Sequence, residues 1–258
     1  MDEFAVLNSA ITAILAVLGA CAGSFINVVA LRRSEGLSFI TGRSRCPGCK
    51  RKLEWFELIP VISWLALFGR CRTCKARISP RYMIVELIGA AASASCFIRY
   101  WLTWNTVLAL GVAVLLLAVA MIDITSMEIP NGLVIALIPF AIVSVLVWPD
   151  VSLISRGIGL VAASVPMLLL ALIIDGAFGG GDVKLMAVCG VLLGWQNAVL
   201  ALFIAVITAG VVALSLIVRR KAKRGAHIAF GPHLCFGVLA ALLYGGELIS
   251  WYLNLFGL

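Results

Sequence analysis

Long apolar runs and short polar breaks alternate along the chain. The runs cover roughly 4–31, 82–101, 104–122, 132–148, 157–174, 183–195, 197–218 and 232–254. An uncharged run of about 20 residues is long enough to cross the hydrocarbon core as a helix. The pattern therefore predicts an all-α polytopic membrane protein with about eight transmembrane helices. The sixth run is short, and Gly194-Trp195-Gln196-Asn197 is a weak turn before the seventh. Pro139 and Pro166 fall within runs four and five and predict kinks. Gly19, Gly23, Ser24 and Asn27 in the first run are small or polar residues that suit close helix packing. No internal repeat, low-complexity tract or long linker is apparent. The one sizeable polar segment is 32–81. The expected organisation is a first transmembrane helix (1–31), a polar module (32–81) and a seven-helix membrane core (82–258).

Composition sharpens this picture. The chain is 63% hydrophobic and only 12% charged, against about 25% charged in soluble domains. Met1-Asp2-Glu3 is acidic, unlike the basic start of a cleaved signal. The net charge is +8, but 17 of the 20 Lys and Arg lie in 32–81 and 219–224. Positive charge clustered beside spans reports a cytoplasmic loop rather than a nucleic-acid partner, so no nucleic-acid binding is expected. With 32–81 placed in the cytoplasm, alternation puts the loops holding Asp123 and Asp182 inside and both termini outside. The second basic cluster, Arg219 to Arg224, independently falls inside as well.

The cysteines divide into two sets. Cys46-Pro47-Gly48-Cys49 and Cys71-Arg72-Thr73-Cys74 are CxxC pairs with 21 residues between them. Four thiolates at this spacing suit one tetrahedral zinc ion. Disulfides and a redox pair are the alternatives, and a reducing compartment disfavours disulfides. Four protein ligands close the coordination shell, so the metal would be structural and would fold a segment with little core of its own. Cys21, Cys96, Cys189 and Cys235 sit singly in apolar runs, where cysteine behaves as a small hydrophobe. Between the CxxC pairs, Trp55 to Leu65 is apolar and aromatic but too short to span. It either lies along the membrane surface or forms the core of the module.

Two carboxylates stand at the lips of apolar runs. Asp182 follows three glycines in Phe178-Gly179-Gly180-Gly181-Asp182-Val183-Lys184-Leu185, and Asp123 follows the third run in Met121-Ile122-Asp123-Ile124-Thr125-Ser126. An acid so placed is costly and marks a functional site. Two acids brought together share a proton, so that one activates water and the other polarises a carbonyl. The same pair would also serve an ion-coupled transporter, and Asp182 alone would serve as a helix cap. A noncatalytic assembly factor is the third class. A separation of 59 positions leaves open whether the two acids meet. Glu128 and Asp175 read as solvated loop acids. Glu86 lies about one turn into the second run and either snorkels or pairs with Arg81. Lys184 reads as an interface anchor or as a group that holds substrate or tunes the acid. His233, at the start of the last run, reads as structural.

Taken together, the ordered motifs resemble the bacterial type IV prepilin peptidases, membrane aspartic proteases of the GxGD kind. The resemblance covers nearly the whole chain. It runs through Gly23-Ser24-Phe25-Ile26-Asn27-Val28-Val29, Arg43-Ser44-Arg45-Cys46-Pro47-Gly48-Cys49 and Ile59-Pro60-Val61-Ile62-Ser63-Trp64. It continues through Gly69 to Cys74, Ile78-Ser79-Pro80-Arg81-Tyr82, Val85-Glu86, the two aspartate motifs and Phe230-Gly231-Pro232. The chain departs from the family at Glu57, Met83 and His233. The resemblance implies that Asp123 and Asp182 are the catalytic pair; Gly179, Gly181, Lys184 and Glu86 read as supporting residues, and Cys46, Cys49, Cys71 and Cys74 as the zinc ligands. It implies prepilin or pseudopilin substrates, cut on the cytoplasmic side after a glycine, just before the hydrophobic segment. Members with four cysteines typically also N-methylate the new terminus with S-adenosylmethionine. No G-x-G-x-x-G follows a predicted strand, so a Rossmann-type donor site is absent. The implied location is the bacterial inner membrane, with the zinc module facing the cytoplasm. Oligomeric state is not legible.

Overall fold

In the computed structural model, which describes residues 3–38, 42–174, 176–219 and 228–257, every regular element among those residues is helical. The elements are α1 (Glu3–Ser34), a 3-10 turn (Trp55–Leu58), α2 (Ile62–Ala66), α3 (Arg81–Tyr100), α4 (Trp104–Ser126), α5 (Asn131–Val147), α6 (Leu153–Ala162), α7 (Ser164–Ile173), α8 (Gly180–Leu193), α9 (Trp195–Val218) and α10 (Gly231–Leu255). All eight apolar runs are helical. Six helical segments, with α6 and α7 counted as one, are long and apolar enough to cross a membrane. The others, α5 with 17 residues and α8 with 14, are shorter. Asp175 and basic residues 220–224 lie outside the described residues.

The two prolines behave differently. Pro166 is the third residue of α7, just after the helix breaks at Ala163. It lacks an N–H, and its ring crowds the carbonyl four residues back, that of Ala162. By contrast, α5 runs through Pro139 without interruption. The weak turn between runs six and seven is a single residue, Gly194, with φ +77°. A side chain there would be strained, and its Cβ would stand 2.7 Å from Ser155 Oγ.

The chain forms two compact units, residues 1–106 and 107–258. In the first, α1 packs against α3. Gly19 meets the Gly89 backbone and Ser93, and one turn on Gly23 meets Val85 and Glu86. A side chain at either glycine would push the helices apart.

In the second unit, α8 is surrounded by α5, α6, α7, α9 and α10. Its Leu185, Met186, Cys189, Leu192 and Leu193 are buried. Gly190 and Gly159 let the α8 and α6 backbones touch. Arg156 of α6, only 2% exposed, ties this group together. Its guanidinium donates to the carbonyls of Ser144 (2.9 Å), Trp148 (2.8 Å), Val151 (3.1 Å), Val191 (3.0 Å) and Leu192 (3.1 Å), and to Ser144 Oγ (2.6 Å). Trp148, Val191 and Leu192 lie at the C-terminal ends of α5 and α8, where carbonyls lack helical partners and carry partial negative charge; the Ser144 carbonyl also accepts the Trp148 N–H. Arginine, with five donors in a planar fork, suits that role.

Candidate active site and metal centre

Asp123 belongs to the last turn of α4 rather than to the loop after it. The helix ends when the Met127 N–H bonds the Asp123 carbonyl at 2.8 Å, with Met127 left-handed at φ +54°. The Thr125 and Ser126 hydroxyls fold back onto Met121 and Ile122 carbonyls. These bonds fix the backbone that presents Asp123, which is 6% exposed. Its Oδ2 accepts the N–H of Gly231 at 2.9 Å. Gly231 opens α10 and Pro232 follows, so the positive end of a helix faces the carboxylate. A Cβ on Gly231 would stand 2.6 Å from Asp123 Oδ2, so only glycine permits this approach.

Asp182 lies in the first turn of α8 and is 8% exposed. Its Oδ2 accepts the Gly179 N–H at 3.0 Å, while the Asp182 N–H bonds the Gly179 carbonyl at 3.0 Å. The expected helix cap is thus reversed: the acid reaches back to the residue ahead of the helix. Gly181 rests against Ile129, with a hypothetical Cβ 2.8 Å from Ile129 Cβ. Asp182 Oδ1 is buried without a hydrogen-bond partner.

These elements converge at one end of the second unit. Phe178, just before the glycines, packs its ring 5.0 Å from that of Phe230, just before Gly231. A continuous path therefore runs from Asp182 through Gly179, Phe178, Phe230 and Gly231 to Asp123. Lys184 is exposed, and its Nζ donates to Asn131 Oδ1 at 3.2 Å, at the head of α5. Glu128 is exposed. His233 Nδ1 meets Thr208 Oγ1 at 3.2 Å, joining α10 to α9. Gly231 and Asn131 received no individual role from sequence. Phe230-Gly231-Pro232 was visible as a motif, but its partner lies 108 positions away.

In the first unit, the Cys46, Cys49, Cys71 and Cys74 sulfurs all lie within 4.8 Å of one another. Cys46 Sγ and Cys74 Sγ are 3.8 Å apart, and a tetrahedron with Zn–S bonds of about 2.3 Å has edges of about 3.8 Å. The two CxxC turns share one construction. The Cys46 N–H bonds Arg51 O and the Lys50 N–H bonds Cys46 O; the Cys71 N–H bonds Ala76 O and the Lys75 N–H bonds Cys71 O. Lys50 and Lys75 are both left-handed, at φ +58° and +56°. The backbone N–H groups of Cys74 and Thr73 pull the Cys71 thiol down to about 6. The Ala76 N–H favours the Cys74 thiolate too, but desolvation and the neighbouring sulfurs outweigh it and push Cys74 up to about 11. A divalent cation would displace the remaining protons. The donor set fits zinc.

Trp55 to Leu65 has a packed part and an exposed part. Trp64 packs on left-handed Gly69 and donates to Ile78 O at 3.3 Å. Trp55, Leu58, Ile62 and Leu65 face outward. Glu57, a departure from the family pattern, has partners here: Arg51 at 2.6 Å and the Glu54 N–H at 2.9 Å. Glu86, also in this unit, accepts the Val61 N–H at 2.7 Å.

The second unit thus defines a class: a multi-pass membrane protein whose helix ends hold an anchored pair of buried acids. Residues 17–100 match the family model described as Bacterial Peptidase A24 N-terminal domain, and 110–214 match the Type IV leader peptidase family. A prepilin leader peptidase/N-methyltransferase of Bacillus subtilis is 34% identical over 94% of this chain and 98% of its own length. Proteins of the same description from Aeromonas hydrophila and Stutzerimonas stutzeri are 35% and 32% identical. They cover 83% and 92% of this chain, and 76% and 92% of their own lengths. The chain belongs to the type IV leader peptidase family. No solved structure matches it significantly.

Proposed function

We propose that this chain removes the leader peptide of type IV prepilins or pseudopilins, with Asp123 and Asp182 as the acid–base pair, and then methylates the new terminal amine. The observation that carries the first activity is the way the two acids are held. Each is buried and fixed through one oxygen by a glycine N–H, and Asp182 keeps a buried oxygen with no partner.

In this reading the two carboxylates share one proton. The ionised member takes a proton from water, whose oxygen attacks the scissile carbonyl carbon. The protonated member donates to the carbonyl oxygen. Collapse of the tetrahedral intermediate breaks the C–N bond, and the departing nitrogen takes a proton from the pair. The glycine N–H anchors hold both acids in position through this exchange. Lys184 and Asn131, at the same end of the unit, are positioned to orient the substrate segment.

Cys46, Cys49, Cys71 and Cys74 hold structural zinc in this reading. S-adenosylmethionine supplies the methyl group: the amine loses one proton and gains the methyl, and the sulfonium leaves as a neutral thioether. The location is the bacterial inner membrane, with the acids and the zinc module on the cytoplasmic side and both termini outside.

The test uses purified protein in detergent and a prepilin with a glycine–phenylalanine junction, with and without S-adenosylmethionine. Mass spectrometry should show cleavage, followed by a methyl increment. Asp123→Asn and Asp182→Asn should each slow cleavage about 10²–10⁴-fold. Full cleavage by both variants would sink the acid pair.

A further inference from the structure

The first unit contains a buried polar cluster that the cleavage mechanism does not use. Asn27 of α1 is 0% exposed and Glu86 of α3 is 7% exposed. They occupy neighbouring turns where α1 meets α3. Asn27 Nδ2 donates to the carbonyl of Tyr82, one turn before Glu86, at 3.4 Å. Gly23, one turn before Asn27, packs against Glu86 Cα. Glu86 Oε2 has one donor, the Val61 N–H. Arg51 pairs with Glu54 and Glu57, and no ion pair among the described residues reaches Glu86. Asn27 Oδ1 is buried with no donor at all.

A buried carboxylate without a cation, beside a buried amide oxygen without a donor, is costly in any protein. It is more so near hydrocarbon. What the cluster lacks has a definite chemistry. Both open groups are acceptors, and the missing charge is positive. Among the described residues no Lys or Arg side chain forms an ion pair with Glu86, which leaves the place open to a ligand.

We propose that Asn27 and Glu86 form a binding site for a primary ammonium group. Its ligand identity rests on the methyl-transfer reading, which brings two such groups: the new N-terminus of the cleaved pilin, and the amino group of the methyl donor. The site lies within about two turns of the polar ends of α1 and α3. That is the lip of the membrane, where a mature pilin starting at its hydrophobic segment would present its amine. There Asn27 Oδ1 and Glu86 each accept one N–H. The Glu86 oxygen not used by Val61 takes the proton that the ammonium must lose before its lone pair can be methylated.

The experiment uses the full chain in lipid nanodiscs. The probes are a fluorescent peptide of the mature pilin N-terminus, with a free or an acetylated amine, and S-adenosylhomocysteine. Wild type should bind the free-amine peptide at least about tenfold more tightly than the acetylated one. Glu86→Gln keeps an acceptor for Val61 but removes the charge. It should erase that preference, leave S-adenosylhomocysteine affinity unchanged, and slow methylation far more than cleavage. If the donor's amino group is the ligand, Glu86→Gln should instead weaken S-adenosylhomocysteine and spare the peptide preference; the ammonium site stands either way. Asn27→Ser should move the same quantity in the same direction, which decides the matter should Glu86→Gln fail to fold. The proposal falls if neither variant changes either binding measurement. If wild type prefers the free amine yet never methylates it, the methyl-transfer reading fails and the ammonium site stands.

Discussion

Glu57 in the four-cysteine module and Asp182 at the head of α8 are 9% and 8% exposed, yet their surroundings differ. Both Glu57 oxygens are satisfied, one by the Arg51 guanidinium and one by the Glu54 N–H. Asp182 has a single donor and an oxygen with none. A buried acid with complete partners does structural work, because any change in its protonation breaks bonds already made. A buried acid left incomplete retains the capacity to exchange a proton with something that arrives later. Burial alone does not separate the two cases; the tally of donors does. Glu86 and Asn27 fall on the incomplete side, which is why they attracted a ligand proposal and Glu57 did not.

The largest test of this comparison is at the glycines packed around the two acids. Gly231→Ala places a methyl group 2.6 Å from Asp123 Oδ2, and Gly181→Ala places one 2.8 Å from Ile129 Cβ. Each should cut the cleavage rate at least about 10²-fold, since displacement by roughly 1 Å has that effect on a positioned catalytic group. Gly180 has open space around it and lies in the first turn of α8. Gly180→Ala should keep activity and, if anything, stabilise by about 0.4–1 kcal/mol. Steady-state rates and thermal melts on the three variants check this. Equal tolerance of alanine at 180 and 181 would mean that the close approach of Gly181 to Ile129 does not position Asp182.

Metal removal probes the other unit. The module's described regular structure is a 3-10 turn, a five-residue helix and two isolated bridges, Arg45 with Lys52 and Arg70 with Arg77. That is too little to stand without its cross-link. Chelation, or Cys46→Ser, should open residues 42–80 to protease while the helices of the second unit keep their protection. Limited proteolysis with mass mapping reads this directly. Protection of the module after complete metal loss would show that its fold is independent of the four thiols.

Arg156 offers the next smaller effect. It is a buried charge satisfied entirely by carbonyls and one hydroxyl, so by the donor tally it is structural. Arg156→Lys offers three donors for six acceptor contacts and should cost about 1–3 kcal/mol in stability through unsatisfied carbonyls. Thermal unfolding should fall, while the Michaelis constant of the folded fraction stays the same.

Much of the fold was legible because apolar runs without charge have few alternatives to helix. The break at Ala163 was foreshadowed by Pro166, which removes a donor and crowds the preceding turn. Continuity through Pro139 was not foreseen, because that outcome depends on neighbours. The four-thiol cluster was readable from spacing, since CxxC turns are local. The Asp123–Gly231 bond and the Arg156 network were not readable. Both join positions set together only by tertiary packing, and Arg156 carried no motif. Asn27 was noticed only as a packing residue; its orphaned oxygen emerges from the way α1 crosses α3.

The smallest expected effect lies at Glu57, where the comparison is sharpest in pH. The Arg51 guanidinium holds Glu57 below the ordinary carboxylate range. A depressed carboxylate contributes stability that is complete above its unfolded value, about 4.3, and is lost as the pH falls through the lowered folded value. Over the range in which the zinc site survives, Glu57 should therefore not titrate. Glu57→Gln should make the module modestly more sensitive to protease, by the same factor at about pH 6 and about pH 8. A gap that closes between those values would show Glu57 exchanging a proton in the working range. Its satisfied partners would then not have excluded it from chemistry, and the distinction drawn from Asp182 would fail.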